Sequence, residues 1–441
     1  LDRPYSNAGG RLSLKAHLSR SERVRFARMQ QLHCPVELAV PLPYGHKPCL
    51  CSTKAVNGQQ DQIHPQIIEV MMEQVKRVAY IGAKGLPAQA GVDRVVEAIV
   101  ERVDKRVYQP VVYVSSRVVP AGTVVPGIEL IRIHTLPGKK LAAVTLFLFA
   151  ALHCLFLGNY AFVHLHNVEA SYVLPFLRLR YKVISTSHGA THVRDKWSSF
   201  SKFLFKLSEA PFIYFSNIIT CVAEPLTQRY ERIYKRKVHF VANGIELEDV
   251  DEAGALQVLK ERNVAPGEYI LFAAGRIIAT KGCHTLLKAY RQLETDKPLL
   301  IVGNIKHIPE YEQLLHELAD ERVQFISFLP LRETVLGLVR HCGLFVFPST
   351  YEGMSMMLLE VLSLNVPYIA SDIPENTIIV REEELLFKSD DVESLRDKLA
   401  WALAHPTCVT ELAQKSYEFI EANYHWDDIV KEYEQLYAQL A

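Results

Sequence analysis

From Arg77 onward, short β-branched runs alternate with amphipathic stretches of helix length, and the alternation runs twice. The first series offers strand candidates at Val78–Ile81, Val111–Val114, Leu130–Ile133, Phe162–His166, Val183–Thr186, Ile218–Val222 and Val238–Val241. After Asn243-Gly244 it restarts at Tyr269–Ala273, Leu299–Val302, Val323–Ile326, Leu344–Phe347 and Tyr368–Ala370. Most connectors have helix length, which implies parallel strands joined by crossovers. The expectation is therefore an α/β chain with two Rossmann-like parallel sheets, each with its own core. The break falls near Asn243–Glu268, where a charged helix runs from Asp249 to Arg262, and the chain ends in aromatic-rich helices.

Composition narrows the function classes. Lys+Arg and Asp+Glu are both 49, so the chain has no bulk attraction for nucleic acid, and none is expected as a partner. Hydrophobic residues at 49% describe a globular chain. Eight cysteines without a signal peptide point to a reducing, cytoplasmic setting. Residues 1–70 lack either period, and Met71-Met72 stands just before the first strand, so 1–70 reads as a leader or poorly ordered extension. Its His33-Cys34, His46, Cys49 and Cys51 match no closed zinc spacing well. The uncharged run Leu141–Leu157 is short for a membrane span and contains His153; a buried crossover helix is expected, with a membrane-touching surface as the alternative.

Three segments carry chemistry. Gly82-Ala83-Lys84-Gly85-Leu86-Pro87, followed by Gly91-Val92-Asp93, lies between a strand and a helix, where backbone N–H groups suit an anion. Its spacing departs from the G-x-G-x-x-G dinucleotide fingerprint. Gly275-Arg276 and Lys281-Gly282 place two cations around a second strand-to-helix turn, within reach of a diphosphate. Phe347-Pro348-Ser349-Thr350-Tyr351-Glu352-Gly353-Met354-Ser355-Met356 leads into a helix carrying Glu360. Glu352 and Glu360 can face one cleft and accept sugar hydroxyls. A solvated pair of glutamates explains Glu360 poorly, because Leu358, Leu359, Val361 and Leu362 around it read as buried.

In this order the segments resemble the retaining glycosyltransferases of family 4. The opening loop, Thr186-Ser187-His188-Gly189, Arg194-Asp195-Lys196-Trp197 and Ala242-Asn243-Gly244-Ile245 are similar to the branch of bacterial rhamnosyltransferases and other polysaccharide-assembly enzymes. The resemblance implies a GT-B architecture: an N-terminal Rossmann-like acceptor domain over 71–245, a C-terminal donor domain over 246–423, and a last helix over 424–441 returning to the first domain. It implies a catalytic set of His188, Arg276, Lys281 and Glu352. Donor binding would fall to Gly91, Arg276, Lys281, Ser355, Met356 and Glu360, with Glu360 at the ribose and His188 near the reacting sugar. The donor would be a UDP-, GDP- or dTDP-sugar, and the acceptor a glycan or lipid-linked glycan. Contact with the inner face of a membrane accompanies that reading.

No metal and no other cofactor is expected, because cations and helix N-termini aimed at a departing diphosphate stabilise its charge. Asp249-Val250-Asp251 matches the letters D-x-D but reads as acidity at a helix start. Two departures stand out. Gly91-Val92-Asp93-Arg94 replaces the branch's Gly-Gly-x-Glu, and the acidic residue usual near Thr191 is absent. Rival readings are a nucleotide-sugar 2-epimerase, a donor-binding protein without turnover, and a dinucleotide-dependent oxidoreductase.

Overall fold

The computed structural model describes residues 75–88, 91–189, 208–246, 250–327, 329 and 331–440. The leader with its cysteines and histidines, the Arg194–Trp197 segment, Thr191 and Asp249 lie outside the described residues.

The first sheet is formed by β1 (Lys76–Ile81), β2 (Tyr108–Ser115), β3 (Glu129–Ile133), β4 (Phe162–His166), β5 (Lys182–Ser187), β6 (Ile218–Cys221) and β7 (His239–Phe240). Its order is β3-β2-β1-β4-β5-β6-β7, and every pairing is parallel. Helix α1 (Gly91–Arg102) follows β1 and buries Val95, Val96, Ile99 and Val100. Tyr80 of β1 is in register with Val112 on one side and His164 on the other. Strands covered on both faces read as nearly continuous apolar runs, which is why the sequence located them so well.

Helix α2 (Lys139–Leu157), which contains the uncharged run from Leu141, is the crossover between β3 and β4. It is only half buried. Leu146, Phe147, Ala150, Ala151 and Cys154 pack inward, while Leu141, Val144, Phe149, Leu152, Phe156 and Leu157 are exposed. A crossover helix has the sheet on one side only, so an all-round apolar sequence leaves the opposite face bare. No helix among the described residues is long and apolar enough to cross a membrane.

The second sheet is formed by β8 (Ile270–Arg276), β9 (Leu299–Asn304), β10 (Val323–Ile326), β11 (Leu344–Phe347), β12 (Tyr368–Ser371) and β13 (Leu386–Phe387), in the order β10-β9-β8-β11-β12-β13, again all parallel. The two-residue β13 is too short to show a period in sequence. Helix α3 (Glu252–Glu261) precedes this sheet, and Asp251 caps it by accepting from the Gly254 N–H at 2.9 Å. Asp251 also accepts from Thr334 Oγ1 at 2.7 Å, so the aspartate serves the helix start. Helices α4 (Cys283–Arg291), α5 (Arg332–Arg340) and α6 (Met356–Ser363) follow β8, β10 and β11.

The last helix, α7 (Trp426–Ala438), returns to the first sheet. Tyr437 is fully buried there, its hydroxyl 3.2 Å from that of Tyr80 and 2.7 Å from His164 Nδ1. At the crossing, Ile245 N–H donates to the Tyr424 carbonyl at 2.6 Å, and Trp426 covers Gly244 so closely that a Cβ there would lie 2.6 Å from its ring. The two stretches linking the sheets are thus tied together. The fold consists of two Rossmann-like parallel-sheet domains with the terminal helix packed back on the first.

Candidate active site

In open parallel sheets, ligands bind beyond the carboxyl ends of strands at the point where the strand order reverses. In the first sheet that point lies between β1 and β4. Gly82 leaves β1 with φ 137°, and a Cβ there would stand 2.5 Å from the His166 carbonyl at the end of β4. The loop that follows is held by acids of α1: Lys84 N–H donates to Asp93 at 2.8 Å, and Ala88 N–H to Glu97 at 2.9 Å. Asp93 is 2% exposed. Burial raises the Glu97 carboxyl above its ordinary range. Asp93 and Glu97 are thus the acids of α1 that hold this loop. Gly91 opens α1, is exposed, and has free space where a Cβ would be.

In the second sheet the order reverses between β8 and β11. Gly282, at φ 69°, passes so close to Pro348 that a Cβ would fall 1.8 Å from its carbonyl oxygen, and Thr350 N–H donates to the Thr280 carbonyl at 2.9 Å. These contacts clamp the second and third segments together. Lys281 Nζ meets Glu352 Oε1 at 2.5 Å, and Ser349 Oγ donates to the same oxygen at 2.7 Å. Glu375 stands nearby; burial, with a smaller contribution from Glu352, raises its carboxyl above the usual range. Arg276 is the exposed last residue of β8, not part of the turn, because the strand continues past a register shift between Ala274 and Arg276. Ser355 is the N-cap of α6, accepting from Leu358 N–H at 3.4 Å, and Met356 is the first helical residue. The first turn of α6 carries neither acid nor base, so its N–H groups are an uncompensated positive end.

Glu360 lies further along α6 and is 7% exposed. Its Oε1 accepts from Arg332 of α5 at 2.7 Å and from Arg94 of α1 at 2.6 Å, while the buried Oε2 has no partner. Burial lowers the Arg332 guanidinium below its ordinary range, and Glu360 offsets part of that shift. Sequence reasoning missed both arginines. Arg94 registered only as a departure, and Arg332 carried no signal beyond a basic residue at a helix start.

The two lobes meet at His188. A Cβ on Gly353 would lie 2.5 Å from the His188 carbonyl, and one on Gly189 would lie 3.4 Å from Gly353 Cα. Asn243 reaches the same loop, its Nδ2 donating to the Met354 carbonyl at 2.9 Å. His188, Lys281, Glu352, Ser355 and Met356 thus converge on one loop cluster. Glu360 lies beside it with the two arginines. Gly91 stands at the start of the helix that carries Arg94.

Two family models match this chain in tandem. "Glycosyltransferase Family 4" matches residues 90–249, and "Glycosyl transferases group 1" matches residues 257–426. Between them they cover the first sheet from α1 onward, the whole second sheet, and the His188, Lys281, Glu352 and Glu360 segments. The chain is a glycosyltransferase. An uncharacterised glycosyltransferase of Methanocaldococcus jannaschii is 21% identical over 60% of this chain and 71% of its own. The N-acetyl-alpha-D-glucosaminyl L-malate synthase of Bacillus anthracis is likewise 21% identical, over 62% of this chain and 71% of its own. The serotype-specific mannosyltransferase WbdA of Escherichia coli is 28% identical over 39% of this chain and 22% of its own. Among solved structures, sucrose-phosphate synthase of Thermosynechococcus elongatus superposes with a TM-score of 0.69 at 22% identity, over 83% of this glycosyltransferase and 99% of its own chain. HepE of Anabaena, solved with UDP-glucose, gives 0.67 at 13% identity, over 82% and 100%. These likenesses place the glycosyltransferase in the GT-B fold.

Proposed function

We propose that this glycosyltransferase moves a sugar from a nucleoside diphosphate sugar to a hydroxyl of a glycan or lipid-linked glycan, with retention and without a metal, in cell-surface polysaccharide assembly. The observation that carries the reading is the close approach of His188 in one lobe to Gly353 in the other, next to the Lys281–Glu352 pair. In it, the free Oε2 of Glu360 accepts a ribose hydroxyl. Glu352 accepts hydroxyls of the donor sugar. Lys281, Arg276 and the N–H groups at Ser355 and Met356 face the diphosphate, with Gly91 and its loop opposite, and His188 stands by the reacting sugar.

Breaking the anomeric C–O bond leaves charge on the diphosphate and oxocarbenium character on the sugar. Fixed cations and helix N–H groups stabilise the first without reorganising. The acceptor oxygen attacks from the face the diphosphate leaves. Its C–O bond forms as the old one breaks, and its proton passes to the departing phosphate oxygen.

Peripheral contact with an anionic membrane surface belongs to the same reading. Phe156, Leu157 and Leu179 are 72%, 76% and 77% exposed. Arg178, Arg180 and Lys182 are exposed beside them, and Arg180 ties the two clusters by donating to the Leu155 carbonyl at 2.6 Å. Apolar side chains ringed by cations suit an interface bearing acidic headgroups.

The test is a thermal-shift screen against UDP-, GDP-, dTDP- and ADP-sugars, followed by transfer to an acceptor extract with and without EDTA. We expect one nucleotide class to raise Tm, a product with the donor's anomeric configuration, and no effect of EDTA. Free nucleotide released without a new glycosidic bond would sink the transferase reading in favour of epimerase or hydrolase chemistry. Vesicle flotation with acidic and with neutral lipids tests the surface contact; equal recovery with both would refute it.

A further inference from the structure

Three histidines form a stack running from the buried end of the terminal helix to the cleft. His164 and His166 are both 0% exposed, with ring centroids 4.0 Å apart at 30°. His166 and His188 follow at 5.3 Å and 20°. His164 has both nitrogens engaged, Nδ1 with the Tyr437 hydroxyl and Nε2 with Thr186 Oγ1, each at 2.7 Å. His166 has one engaged: Nδ1 lies 3.0 Å from His188 Nε2, while its buried Nε2 has no partner.

The geometry points to His166 as a positioning residue that fixes His188 as the Nδ1–H tautomer, so that a neutral imidazole stands at the cleft. A single proton must lie between His166 Nδ1 and His188 Nε2. If His188 donated it, His166 would carry its own proton on Nε2, a buried N–H without an acceptor. Orphaned buried N–H groups are rarer than orphaned acceptors. If His166 donates, only a lone pair is left unmatched. His166 therefore donates, and His188 keeps its proton on Nδ1.

Burial holds His166 and His164 well below the usual histidine range, so these two rings stay uncharged at neutral pH. Charging His188 at Nε2 would set two N–H groups against each other or force the orphan onto His166. A neutral imidazole beside a sugar acquiring positive charge avoids the repulsion an imidazolium would add. This last step rests on the reading of His188 as a group near the reacting sugar; the tautomer itself does not.

Deuterated protein labelled with 15N-histidine reports the tautomer in two-bond 1H–15N spectra, with His188 assigned by its loss in His188→Gln. The ligand-free wild type should show His188 protonated at Nδ1. His166→Phe should populate the Nε2–H form. His166→Asn, whose amide can donate from nearly the same point, should restore Nδ1–H. Turnover should follow, with kcat falling about 10–100-fold in His166→Phe and recovering in His166→Asn while donor KM changes little. An Nε2–H signal in the wild type, or an unchanged tautomer in His166→Phe, overturns the proposal. Should His166→Phe fail to fold, the wild-type spectrum and His166→Asn decide it. Undiminished transfer by His188→Ala would instead remove His188 from the proposed active site, a result the ligand-free spectrum does not share.

Discussion

Arg94, on the first helix of the N-terminal lobe, is ion-paired at 2.6 Å with Glu360, on a helix of the C-terminal lobe. Arg332 completes the arrangement from the C-terminal side at 2.7 Å. One carboxylate oxygen thus serves two guanidinium groups from opposite lobes. Removing the shared carboxylate takes from two partly buried arginines the charge that both contact, a costly change. Glu360→Gln should therefore lower unfolding stability as well as weaken donor binding. A double-mutant cycle on Arg94→Ala and Glu360→Ala should return a coupling energy of about 0.5–3 kcal/mol in chemical denaturation. Additive effects would mean the contact does not couple the lobes in solution.

Lys281 differs in kind. It is a quarter exposed and meets Glu352 on the loop opposite, so its loss should leave the cores intact. Lys281→Ala is expected to lower kcat about 100–1,000-fold with Tm nearly unchanged. Lys281→Arg should retain part of the activity, since it keeps the charge while changing its shape. Steady-state kinetics beside a melting curve distinguish this from a folding defect; a variant losing stability and turnover together would contradict it.

Legibility followed the kind of signal each residue leaves. Strands buried on both faces announced themselves as apolar runs, and Phe162–His166, Val323–Ile326 and Leu344–Phe347 begin and end where the sequence placed them. Gly282 and Gly353 stood inside the segments the sequence singled out, but the close approaches that require them are to Pro348 and His188, which come from distant chain. Arg94 and Arg332 left no such mark: what makes them site residues is a carboxylate contributed by another helix. The stack of His164, His166 and His188 escaped for the same reason, since two of its members lie on β4 and the third follows β5. Helix α2 was misjudged in part because an all-apolar sequence does not say which faces find a neighbour.

The glycines allow a sharper contrast. Gly282 combines a left-handed φ of 69° with a Cβ position 1.8 Å from the Pro348 oxygen, whereas Gly275 has nothing within 4 Å of its Cβ position. Gly282→Ala should cost about 1–3 kcal/mol from backbone strain, with further loss as the clamp between the two segments opens. Gly275→Ala should be neutral or slightly stabilising for the fold. Gly353→Ala should do its damage differently. Its Cβ would press on the His188 carbonyl at 2.5 Å, pushing the lobes apart, so turnover should fall more than stability. Denaturant titration of the three variants with matched kinetics gives the ranking.

Acid sensitivity should originate in the histidine stack. Burial pushes the folded-state pKa values of His164 and His166 well below 6.5, so these rings gain protons only when the chain unfolds. The unfolded state then binds more protons than the folded one below about pH 6.5, and stability must fall as pH falls. Above that value both states are neutral and the contribution is complete. Each such histidine adds a slope of up to about 1.4 kcal/mol per pH unit, in a range where most carboxylates are still ionised. Denaturation curves between about pH 7.5 and 5 should therefore show a decline in the wild type that is shallower in His164→Gln. That variant should be less stable at neutral pH, having lost its matched bonds to Tyr437 and Thr186. Parallel pH dependences for the two proteins would show that the buried rings are not what acid attacks.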